Sequence, residues 1–113
     1  MVVKDSIQKG IEDQAMKELE GKTRYDLIPA YPLDLLAKVY SFGCQKYEDN
    51  NWRKGISWSI AWGALMRHCW AWARGEDINQ ESGLPHLVHA AWWCFTLLEY
   101  ARTHPELDDR LDK

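Results

Sequence analysis

Two stretches of this chain are apolar on almost every side of a helix, and that constrains the fold more than any other feature. Trp58, Ile60, Trp62, Leu65, Met66, Cys69, Trp70 and Trp72 spread around most of one helical cylinder. Leu87, Val88, Ala91, Trp92, Trp93, Phe95, Leu97, Leu98 and Tyr100 do the same on another. A helix with one apolar stripe can lie on a surface, but one that is apolar all round has to be covered on several sides. The first segment is therefore predicted as a central helix, capped by Ser57 or Ser59 and running to about Arg74. The second starts at the signals Ser82 and Pro85 and stops at Pro105. Its length of about twenty residues would suit a membrane span, but His86, His89, Glu99 and Arg102 argue against one.

A third helix is expected from Tyr31 to about Tyr47, where Leu33, Leu36, Ala37, Tyr40, Gly43, Cys44 and Tyr47 recur at three and four with Pro32 in the first turn. No segment alternates as a strand does, so the expected class is all-α, a helical bundle of three main helices. The apolar surface exceeds what one small chain can easily hide, which predicts completion by oligomerisation, as a homodimer or higher homo-oligomer. Residues 1–20 read as a polar arm or frayed helix around Gly10, residues 21–104 as the helical domain and residues 105–113 as a polar tail. "GKTRYDLIPAYP" reads as an extended, docked stretch.

With 113 residues the chain is a single domain's worth. A net charge of −3 and scattered Lys and Arg give no footprint for duplex nucleic acid, although free nucleotides remain open. Three cysteines without a C-x-x-C pair, and no secretory leader pattern, point to a cytoplasmic setting. The chain carries no G-x-x-x-x-G-K-[ST], G-x-G-x-x-G or H-E-x-x-H motif.

Residues three apart share a helix face, so His86 and His89 present their imidazoles side by side, and His68 lies midway along the neighbouring helix. A three-histidine cluster is sterically reasonable. A packed ring bonded to a helix carbonyl is the ordinary account of one such histidine, and the dipole of a helix C-terminus explains His104. Carboxylates flank the same elements: Glu48 and Asp49 after the first helix, and Glu76, Asp77 and Glu81 in the loop before the last. If they meet the histidines, mixed nitrogen and oxygen ligands favour Mn²⁺, Fe²⁺ or Zn²⁺, whereas Mg²⁺ relies on carboxylates and water. Lys22, Arg24, Lys46, Arg53, Lys54 and Arg67 are the cations near enough in sequence to face phosphates.

The runs "GKTRYDLIP", "FGCQKYEDNNW" and "GALMRHCWAWARGEDINQESGLPHLVHAAWWCFTLLE" resemble the phage-type dATP/dGTP diphosphohydrolase family over about residues 20–100. That family is similar to the MazG-like all-α pyrophosphohydrolases. The resemblance implies helices that gather divalent metal around a nucleoside triphosphate, with water attacking a phosphate to leave a monophosphate and pyrophosphate. The MazG-like pairs E-E-x-x-E and E-x-x-D are absent here; His68 and His86-x-x-His89 stand in their place. By this resemblance His68, Glu76, Asp77, His86 and His89 hold metal, and Asp49 or Glu81 activates water. Lys22, Arg24, Lys46, Asn51, Trp52 and Arg67 contact phosphate and base, with Trp52 able to stack on a purine. Two competing expectations are a non-catalytic nucleotide- or metal-binding module that meets a host protein, and a purely structural helical oligomer.

Overall fold

The structure, a computed structural model, describes residues 2–112. Four helices follow in order: α1 (Val2–Leu19), α2 (Ala30–Lys46), α3 (Trp58–Ala73) and α4 (His86–Thr103). Single 3₁₀ turns lie at Tyr25–Leu27, Asn51–Lys54 and Pro105–Leu107. Among the described residues there is no strand, and β pairing is confined to one isolated antiparallel bridge between Ile78 and Pro85. The all-α class is thus confirmed, and α2, α3 and α4 begin and end within a few residues of their expected limits.

Local chemistry explains the boundaries. Pro32 sits in the first turn of α2, where a missing N–H costs nothing. After α3 the chain closes in a Schellman turn: Glu76 N–H donates to Ala71 O at 3.0 Å and Gly75 N–H to Trp72 O at 2.9 Å, with Gly75 at φ 93°. Ser57 is the N-cap of α3, but its side chain makes no capping bond. The Asp109 carboxylate caps instead, accepting from Ser59 N–H at 2.9 Å and from Ser59 Oγ at 2.5 Å. The polar tail is therefore docked on α3, and Arg110 covers the Trp58 ring at 5.0 Å.

The central helix is α4 rather than α3. It packs on α3 along its length, on α2, and on the Pro105–Leu107 turn. Leu36 and Val39 of α2 meet Val88 of α4, flanked by Leu35, Tyr40, Leu84, Ala91 and Trp92. Small buried residues, Ala61 and Ala71 on α3 and Ala90 on α4, let helices approach closely. One neighbour covers only one side of α3, so Ile60, Trp62, Trp70 and Trp72 stay open to solvent. Helix α1 runs unbroken past Gly10 and is exposed from Asp5 to Leu19. It accounts for a radius of gyration of 20.3 Å, against about 13 Å for a compact domain of such length.

Candidate functional site

The segment between α3 and α4 folds back on itself. Asn79 N–H donates to Leu84 O at 2.8 Å, Gly83 N–H to Asn79 O at 2.8 Å and His86 N–H to Asp77 O at 2.9 Å. Gly83 holds φ 73°, which a side chain would resist. This turn brings its acids beside three histidines. His68 Nδ1 lies 2.9 Å from His86 Nδ1, and the rings of His68 and His89 stack at 4.8 Å and 9°. Glu76 Oε2 lies 3.8 Å from His86 Nε2, and one of the two facing Nδ1 atoms donates to the other. Ser82 Oγ bridges His89 Nε2 at 2.7 Å and Asn79 Oδ1 at 3.1 Å, and accepts Leu84 N–H at 3.1 Å.

Burial disfavours the charged forms of His68 and His89. It pushes His68 down to about 4, helped by the like charges of His89, His86 and Arg67. It also lowers His89, with His86 adding to the effect and Glu81 opposing it. Glu81 forms an ion pair with Lys46 from the end of α2, which keeps the carboxyl below its usual range and the ammonium above its own. Among the described residues no three His, Cys, Asp or Glu side chains are disposed to hold one metal ion. Stacked rings aim their nitrogens past one another, and His68 and His86 engage each other rather than a common point. A cage made from this chain alone does not fit.

A separate cavity of about 230 Å³ opens where α2 ends. Tyr40, Tyr47, Trp52 and Trp92 supply aromatic walls, while Cys44, Glu48, Asp49, Asn50 and Asn51 supply polar groups. Trp52 packs edge-on against Tyr40 at 6.1 Å and Trp92 at 6.3 Å, and the Arg53 guanidinium covers its ring at 4.5 Å. The C-terminal half of α4 fastens this turn from behind. Fully buried Tyr100 donates its hydroxyl to Trp52 O at 2.5 Å, and His104 Nε2 lies 2.8 Å from Arg53 O. His104 also meets Glu106 at 2.9 Å, and these two bonds raise its pKa, so it does more than answer a helix dipole.

The residues expected from the sequence thus fall into two groups and a remainder. His68, His86, His89, Glu76, Glu81 and Lys46 gather at the α3–α4 loop; Asp49, Asn51 and Trp52 line the cavity, which no histidine does. Asp77 contributes its carbonyl there while its side chain stays exposed, and Arg67 is exposed on α3. Lys22 is exposed after α1, and Arg24 is held in a two-bond pair with Asp26, both bonds at 2.8 Å. Tyr40, Tyr47, Trp92 and Tyr100 were legible only as apolar stripe, and His104 as helix end. A phenol in an apolar helix, which needs a hydrogen-bond partner when buried, was the signal for Tyr100.

No helix among the described residues is long and apolar enough to cross a membrane. No solved structure matches the chain. A dATP/dGTP diphosphohydrolase from Salmonella phage PMBT28 is 31% identical over 91 residues, covering 80% of this chain. The chain spans about a third of that relative's length, 31%. Residues 12–110 match the family described as dATP/dGTP diphosphohydrolase, N-terminal. With nearly the whole chain inside that match, and the K-Y-E-D-N-N-W turn and the H-x-x-H helix each building part of the site, the protein belongs to the dATP/dGTP diphosphohydrolase N-terminal family.

Proposed function

We propose that this chain binds purine deoxynucleoside triphosphates and hydrolyses them to monophosphate and pyrophosphate, as a homo-oligomer. The observation that carries the reading is the aromatic cavity beside the Lys46–Glu81 pair. Its volume of about 230 Å³ lies below the roughly 300–1,000 Å³ of sites that enclose drug-sized ligands. It suits a planar base and leaves the phosphates outside. Lys46 precedes the cavity's Tyr47 in the chain, and its ammonium lies 5.6 Å from the centre of that ring.

The phosphates compete with Glu81 for Lys46, because a polyanion outbids a single exposed carboxylate. Glu81, released, orients a water beside neutral His89. Water oxygen then bonds to the α-phosphorus, the bond to the α–β bridging oxygen breaks, pyrophosphate leaves, and the water's proton passes to solvent or to Glu81. A divalent ion carried in on the phosphates would neutralise charge, and Glu76, Asp77 or Glu81 would be the carboxylates to meet it.

A non-catalytic binding module is the second reading, favoured by the absence of a three-donor group among the described residues. Pyrophosphate release separates the two. Each of the eight common nucleoside triphosphates is assayed with Mg²⁺, Mn²⁺ or Co²⁺, with Lys46→Ala and His86→Ala alongside. Release from dATP or dGTP that drops at least tenfold in Lys46→Ala supports hydrolysis. A raised Tm with nucleotide but no release supports the module, and neither response leaves a structural role.

A further inference from the structure

We infer that Asp49 reads the base and that the cavity selects guanine over adenine; this rests on the nucleotide reading above. Aromatic walls accept every base, since each base has a π-face, so Tyr40, Tyr47, Trp52 and Trp92 cannot discriminate. Discrimination has to come from polar groups at the edge of the base. Four side chains on the turn Glu48–Asn51 and its neighbour Cys44 provide most of those in the cavity.

Most are already engaged. Glu48 is paired with Lys54, and the Asn50 oxygen accepts from Arg53 Nε at 2.9 Å. Asn50 is the one residue other than glycine with positive φ among the described residues, at 61°, which fixes the corner that sets Asp49. Asp49 accepts the Cys44 thiol, and that contact pushes the thiol's pKa up. A thiol is a weak donor, and an ionised carboxylate has about four acceptor sites, so Asp49 keeps capacity for a ligand.

An ionised carboxylate accepts only. Guanine offers it two adjacent donors, N1–H and the N2 amino group, which match the two oxygens side by side. Adenine puts the N6 amino donor next to the N1 lone pair, so one carboxylate oxygen faces a lone pair. Hypoxanthine keeps N1–H but lacks the 2-amino group and falls between them. Guanine leads by its second donor, and hypoxanthine precedes adenine because it turns no lone pair towards the carboxylate: dGTP, then dITP, then dATP.

Tryptophan fluorescence reports the test directly, because Trp52 and Trp92 form walls of the cavity. The intact chain and Asp49→Asn are titrated with the three nucleotides. For the intact chain dGTP binds about tenfold more tightly than dATP, the low end for a two-bond base contact because Asp49 is exposed. An amide presents one donor and one acceptor, so Asp49→Asn loses or reverses the preference while its Tm holds. An unchanged preference in Asp49→Asn, or equal affinities in the intact chain, overturns the guanine assignment and leaves the nucleotide reading standing. Quenching by no purine nucleotide overturns both.

Discussion

His68 shows how a single residue's surroundings set its chemistry. Its unfolded pKa is that of an ordinary imidazole, 6.5, and its folded pKa is about 4, so protonation favours the unfolded chain. Stability is complete above pH 6.5 and is lost as pH falls towards 4. After a discount of about half for partial exposure, the loss from pH 7 to pH 5 is about 1 kcal/mol, or ~5 °C in Tm. Thermal melts at the two pH values check this, and His68→Gln flattens the difference. His104 acts in the opposite direction: its raised pKa stabilises below pH 6.5 and is lost as pH rises through the folded value. Thr96 is a second test, being wholly buried with a hydroxyl that has no partner among the described residues. Thr96→Val removes that unmet group at constant shape and should raise stability by about 1 kcal/mol, read as a higher denaturant midpoint. The sequence pointed to His68, His86 and His89 through their spacing, yet it gave no hint of Ser82 as the bridge to His89. That contact depends on a turn closed by Gly83 and Asn79.

Helix α4 links the two halves of the site. Its first turn carries His86 and His89, its middle presents Trp92 to the cavity, and its last turns hold the Trp52–Arg53 carbonyls through Tyr100 and His104. Tyr100→Phe keeps the ring packing but orphans the Trp52 carbonyl, at a cost of about 1–2 kcal/mol. In the nucleotide titration its affinity falls several-fold more than that of Thr96→Val, which tests whether Tyr100 positions the wall or merely fills space. Helix limits were legible because Pro32, Pro85 and Pro105 act locally on the backbone, through a missing N–H and a fixed φ. The α3 cap was not, since the sequence points to serine while the structure uses Asp109, fifty residues away. A carboxylate at long range leaves no periodic trace.

For the whole molecule, the apolar faces that remain open decide behaviour in solution. Ile60, Trp62, Trp70 and Trp72 on α3 and Leu87, Phe95 and Leu98 on α4 each leave 49–73% of their surface exposed. Monomeric proteins rarely leave contiguous apolar area above a few hundred Å² uncovered, so light scattering behind a sizing column should give a mass of at least two chains. Trp62→Glu with Trp70→Glu should shift the mass to one chain, and a single-chain mass for the unmodified protein would refute the association. The amino-acid sequence by itself determined the all-α class and the three main helices, because helical period and turn residues act within a few positions of the chain. Only the tertiary structure decided that α4 is central, that Asp49 and Trp52 belong to a cavity apart from the histidines, and that Lys46 meets Glu81. Those facts depend on which of several equally apolar faces pack together, and a face apolar all round carries no address for its partner.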